Sequence, residues 1–260
     1  MKKTKKVLGA SLLAALLTPL AQAQSSDVSV TMGLKAWNTE WTTWFIENLN
    51  LAVGDSSVST SAVTNQSASR ENVLIPSIAV RYGNWFASGS FFIKKSFSFG
   101  LERREYDVNL GYAVLPGLAM SVGYKDLRYE GTTNSYQYEA KGLTVGVNGS
   151  APINSNVSIY GALAYGRPDV RDNAGRNGVS KRSGDYLLSE VGLAFPLGRM
   201  SESLRSTVMT AGYRYQRLDS KKHTSTFTLE GASTPVAGLG ISYDLIDTTQ
   251  GIAIGISSTF

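Results

Sequence analysis

From Gln250 to the carboxyl terminus the chain alternates apolar residues with small or polar ones, broken only at Ser258. Ile252, Ile254, Ile256 and Phe260 fall on one parity, and Gly255, Ser257 and Thr259 on the other. A period of two belongs to a strand with one greasy face and one wet face. Terminal residues ordinarily fray in water, so an aromatic last residue gains little unless something holds it. The same alternation recurs along most of the chain, and a fold must be found that pairs all of these strands.

The other end carries the features of an export signal. Lys2, Lys3, Lys5 and Lys6 precede the apolar run Val7–Leu20, and Ala21-Gln22-Ala23 matches an A-x-A cleavage site. Ser11, Thr18 and Pro19 interrupt the run, which is too short for a membrane-spanning helix. The expected organisation is a signal peptide over 1–23 and a single β domain over 24–260. The chain has 25 basic and 20 acidic residues. Four of the lysines leave with the signal, so the near-balance that remains gives no electrostatic footprint for nucleic acid. There is no Cys, which excludes disulfides, thiolate metal ligands and a thiol nucleophile. No later apolar stretch approaches a helical span. In lipid, a chain of alternating strands can satisfy its backbone only as a closed barrel.

The closing strand and its terminal Phe260 resemble those of bacterial outer-membrane β-barrels. That resemblance implies contact with outer-membrane lipid and lipopolysaccharide. It also implies recognition of the last strand, with Phe260 as assembly signal, by the barrel-insertion machinery. The predicted fold is all-β, a closed antiparallel transmembrane barrel of twelve strands, with ten as the alternative. Nine strands precede residue 219: 28–37, 73–82, 85–94, 103–114, 118–125, 143–147, 157–165, 187–195 and 209–215. The choice rests on whether Phe227–Leu229 and Leu239–Asp244 add two strands around an inner turn at Gly231–Pro235, or whether 220–249 is one external loop. Glu40–Arg70 and Arg167–Asp185 lose the alternation and are expected to be external loops. Trp41, Trp44 and Phe45 are expected at the outer interfacial girdle.

Strand parity sends Lys35, Arg81, Lys94, Arg103, Lys125 and Arg214 toward the lumen, together with Glu105, Asp107 and Glu190. Charges on the lipid face are costly, so an inward direction is expected in any barrel. Such a ring suits a charged constriction, and it equally suits a paired network that fills a narrow interior. The first functional expectation is a narrow passive channel for small solutes. The alternative is a structural or surface-adhesive barrel whose lumen is plugged by ion pairs. A third possibility is a soluble periplasmic β-sandwich binding module. No enzyme is expected. The single His, His223, lies beside Asp219 and Ser220 in sequence, and adjacency is not the geometry of a triad. Asp169, Asp172 and Asp185 lie among Arg and Lys and suit a solvated face better than a cation site. The Asn-x-Ser triplets at Asn65, Asn148 and Asn156 are chance matches. No sequence motif calls for a cofactor.

Overall fold

The computed structural model describes residues 28–53, 56–67, 70–96, 101–131, 137–172, 180–199, 201–227 and 239–260. Their strands are β1 (Val28–Val53), β2 (Ser56–Ser67), β3 (Glu71–Tyr82), β4 (Trp85–Ser96), β5 (Leu101–Leu115) and β6 (Leu118–Gly131). The second half adds β7 (Gln137–Pro152), β8 (Ser158–Gly166), β9 (Asp169–Asp172), β10 (Ser180–Pro196), β11 (Thr207–Phe227) and β12 (Leu239–Thr259). All pairings are antiparallel. The order β11-β12-β1-β3-β4-β5-β6-β7-β8-β10 closes on itself because β10 also pairs with β11. β9 continues the line of β8 between β7 and β10. β2 pairs with β1 alone, outside the closed path. The barrel therefore has ten strands, plus one strand outside it.

The expected count of twelve is corrected to ten. The segments near Phe227 and Leu239–Tyr243 are the upper ends of β11 and β12, paired with each other from His223–Tyr243 to Phe227–Leu239. Alternation reports that a strand is present but not where it leaves the membrane, so a long strand reads as two short ones. Glu40–Arg70 is corrected for the same reason: β1 continues to Val53 and β2 returns beside it. Arg167–Asp185 holds β9 and the start of β10. Residues 1–23 and Gly231–Pro235 lie outside the described residues.

Val28, Phe260 and the β3–β4, β5–β6, β7–β8 and β10–β11 connections share one end of the barrel. Pro116 and Gly117 join β5 to β6; Pro presets its own φ, and Gly117 takes φ 84°, a left-handed value that other residues adopt reluctantly. Gly83, at φ 57°, serves the turn between β3 and β4 in the same way. In outer-membrane barrels the short turns lie on the periplasmic side. The terminus is held there: the Phe260 amide donates to the Val30 carbonyl at 2.8 Å, and the Val30 amide donates to the Phe260 carbonyl at 3.1 Å. The Phe260 ring itself is exposed.

Several strands are far longer than a bilayer requires. β1 has 26 residues, whereas a tilted transmembrane strand needs about 9–11. Along this length the wall reverses its polarity. In the lower part of β6, Leu118, Met120, Val122 and Tyr124 point outward, and Ala119, Ser121, Gly123 and Lys125 point inward. Beyond Lys125 the outward positions become Asp126, Arg128 and Glu130, and the inward ones become Leu127 and Tyr129. β7 makes the same exchange between Leu143 and Lys141, and β11 between Tyr213 and Arg217. β12 exchanges outward Ile252, Ile254 and Ile256 for Thr248 and Gln250.

The upper half is thus built as a soluble protein is, with its core inside. Trp37, Trp41, Leu127, Tyr129, Tyr138, Val170, Leu218 and Leu245 belong to one buried cluster. Trp41 stacks on Tyr129 with ring centroids 4.4 Å apart. Trp41 was expected at the outer girdle; instead it points inward, because residue 41 shares the parity of the buried Trp37. Trp44 does face outward, and the side chain of Phe45 lies outside the described residues. Outside this core the wall carries ion pairs: Arg104–Glu130, Arg128–Asp126, Lys141–Glu139, Arg167–Asp185 and Arg217–Asp219.

The reversal predicts opposite tolerances a few residues apart on β6. Leu127→Ala should cost about 2–5 kcal/mol as a core truncation, whereas Val122→Ala, which only meets lipid, should cost far less. Val122→Arg should cost about 2–4 kcal/mol as a charge at bilayer depth. Denaturant unfolding of the protein folded into liposomes measures all three; equal losses for the two alanine variants would contradict the assignment of the belt.

Candidate functional site

Where the polarity reverses, the interior holds charged side chains in two groups. In the first, Glu190 on β10 receives Lys35 from β1 and Arg214 from β11. Lys35 Nζ lies 2.5 Å from Oε1, and Arg214 Nη1 lies 3.2 Å from Oε2. Tyr160 on β8 donates its hydroxyl to Oε1 at 2.9 Å. The guanidinium of Arg214 lies over Trp37, 5.1 Å from the ring centroid. All four side chains are buried, so each charge depends largely on its partner for what hydration would otherwise supply.

The second group centres on Glu105 of β5. Arg103 bonds to one of its oxygens, and Lys125 of β6 lies 2.7 Å from the other. Lys125 also reaches both oxygens of Asp107, at 3.1 and 3.3 Å, and lies over the Tyr186 ring at 4.7 Å. Gln216 on β11 donates to both Glu105 oxygens, at 3.2 and 3.3 Å. β11 and β5 stand five places apart in the ten-strand ring, so this contact crosses the full lumen. Arg103 makes a second crossing to the Thr249 hydroxyl on β12, with its guanidinium over Phe92 and Tyr129.

Of the charges assigned to the lumen by parity, the structure brings seven together in these groups: Lys35, Arg103, Glu105, Asp107, Lys125, Glu190 and Arg214. Arg81 is apart from them, donating through Nε to the Gly83 carbonyl at 2.8 Å in the β3–β4 turn. Lys94 belongs to β4 next to a register shift between Phe92 and Lys95, and its side chain lies outside the described residues. Sequence reasoning missed Tyr160, Gln216 and Thr249, which supply neutral hydrogen bonds. Their inward parity was available, but neutral polar residues on a barrel's inner face give no signal of being chosen.

Above the charged layer lies the aromatic and aliphatic core, into which Asp247 is tied by Trp41 Nε1 at 3.3 Å and Thr43 Oγ1 at 2.6 Å. Below it lies a cavity of about 90 Å³, lined by Ser88, Asn109, Ser121, Thr144, Asn148 and others, with Asp107, Tyr186 and Arg214 at its border. Among the described residues no group of three or more His, Cys, Asp or Glu could hold a metal ion. The side chains of His223 and Asp172 lie outside them.

A search of the curated proteins finds no match. Among solved structures, the chain is similar to the outer membrane protease OmpT from Escherichia coli at 15% identity and a TM-score of 0.50, covering 94% of this chain and 100% of that one. This likeness is one of fold. The toluene transporter TodX from P. putida matches at 10% identity and a TM-score of 0.32, covering 95% and 94% of the two chains. The attachment invasion locus protein Ail of Yersinia pestis matches at 13% and 0.25, covering 86% and 99%. The family described as the OmpA-like transmembrane domain matches residues 85–245, more than half of the chain. The chain therefore belongs to the OmpA-like transmembrane domain family, as a β-barrel of the bacterial outer membrane.

Proposed function

We propose that this protein is a structural or surface-adhesive barrel with its lumen closed, carrying a water-facing upper half above the outer leaflet. The observation that supports this most is the pair of contacts across the lumen, Gln216 to Glu105 and Arg103 to Thr249. A solute passing along the axis would have to break both and then cross the core around Trp41 and Tyr129. The upper half, with its ion-paired outer wall and the outside strand β2, is the part available to partners. No catalytic role is assigned to it. The rival function is a narrow passive channel for small solutes, which the polar cavity below the charged layer favours.

Planar-bilayer recording distinguishes the two. The closed barrel should give no single-channel steps. Glu105→Gln should leave Arg103 and Lys125 with less compensation, lowering stability by about 3–5 kcal/mol, the usual cost of breaking a buried pair. Steady ohmic steps from the wild-type protein, with a selectivity that shifts in Glu105→Gln, would select the channel instead.

Export and assembly are part of the same proposal: residues 1–23 are removed, and the last strand is read by the insertion machinery before it closes the barrel on β1. Phe260 suits that role because the residue is 76% exposed and contributes little packing, while its backbone completes the seam. Phe260→Ala should therefore reduce the amount of protein in the membrane severalfold, yet leave the unfolding midpoint of the purified, refolded barrel nearly unchanged. A fall in the midpoint with normal membrane levels would mean that the ring acts in stability and not in assembly.

A further inference from the structure

The two charged groups differ in their charge balance. Arg103 and Lys125 are matched by Glu105 and Asp107. Lys35 and Arg214 share the single carboxylate of Glu190, so that group holds one more cation than anion. All three side chains are at least nine-tenths buried, and an excess charge without water requires a counterion or a neutral partner. Arg214 borders the cavity of about 90 Å³, well above the roughly 10–15 Å³ that one water-sized body requires. Its Nε is buried with no hydrogen-bond partner among the described residues. Tyr186 borders the same cavity, and its hydroxyl is also buried with no hydrogen-bond partner among the described residues. Arg214 is 6% exposed and Tyr186 3%. The rest of the lining is hydroxyl and amide, from Ser88, Ser121, Thr144, Asn109 and Asn148. Asp107 also faces the cavity and opposes negative charge, but both its oxygens are engaged by Lys125.

We propose that this cavity binds one small monovalent anion, of chloride to formate size, between Arg214 Nε and the Tyr186 hydroxyl, where it neutralises the Lys35–Glu190–Arg214 group. The cavity has the size for such an ion, two buried donors lack an acceptor, and the Lys35–Glu190–Arg214 group carries one more cation than anion. Glycines make room for the lining side chains: a Cβ on Gly123 would meet Asn109 and Thr144, and one on Gly146 would meet Ser121.

The test is the unfolding midpoint of the full barrel in detergent micelles, followed by heat-dependent gel mobility. Sodium chloride and sodium formate are compared with sodium gluconate at equal ionic strength, so that screening is constant. Chloride and formate should raise the midpoint saturably, by on the order of 5 °C at high occupancy. Tyr186→Phe removes one donor and should at least halve the rise; Lys35→Met removes the excess charge and should abolish it. Equal wild-type midpoints in all three salts would overturn the proposal, as would a rise of undiminished size in both variants. A Tyr186→Phe midpoint raised equally in every salt would show a cavity that holds water only, and would also overturn it. Should Lys35→Met fail to fold, Tyr186→Phe decides alone.

Discussion

Backbone pairing is the condition on which everything else in this barrel rests. In hydrocarbon an unpaired amide or carbonyl has no water to turn to, so a sheet must close. Here closure depends on β12, which must pair with both β11 and β1. Its pairing with β1 runs from Thr31–Thr259 up to Leu51–Leu239, well past the belt that meets lipid. The same seam that seals the membrane part therefore organises the part that stands in water. Ten strands leave an interior narrow enough for side chains to meet across it, which is why Gln216 can reach Glu105 from the opposite wall.

The charged layer follows from that narrowness. Charges cannot sit on the lipid face, and inside a narrow lumen they lose their water as well. Glu105 and Glu190 each gather several donors, and the aromatic rings of Trp37, Tyr129 and Tyr186 lie against the cations. Cation–π contact is worth most where the cation is dry. The layer lies where an interior lined by small polar residues gives way to one filled by aromatics and aliphatics, and it serves both.

The belt was legible because a bilayer imposes a strict alternation: Ile252, Ile254 and Ile256 can only be outward-facing beside Gly255 and Ser257. The inward direction of Lys35, Glu105 and Arg214 follows from the same parity. What remained hidden was everything above the belt. There Leu127 and Tyr129 sit inside, while Asp126 and Arg128 sit outside, and the pattern continues unbroken but with its sense reversed. Read as one strand with one greasy face, β6 appears to stop at Lys125. In β11 and β12 the same reversal looked like a second hairpin and raised the strand count to twelve. Cross-lumen partners such as Tyr160 and Thr249 depend on barrel circumference and register, which no local pattern carries.

The reversal of polarity along β6, β7, β11 and β12 also works as a depth mark, like the waterline on a hull. Sinking the barrel by one inward–outward repeat along β6 would carry Asp126 toward hydrocarbon, and raising it would lift Tyr124 and its apolar neighbours into water. Several strands around the circumference set the mark at the same level, so tilt is penalised along with displacement. The half beyond the belt is consequently held at a fixed height and attitude relative to the bilayer by the arrangement of its own side chains.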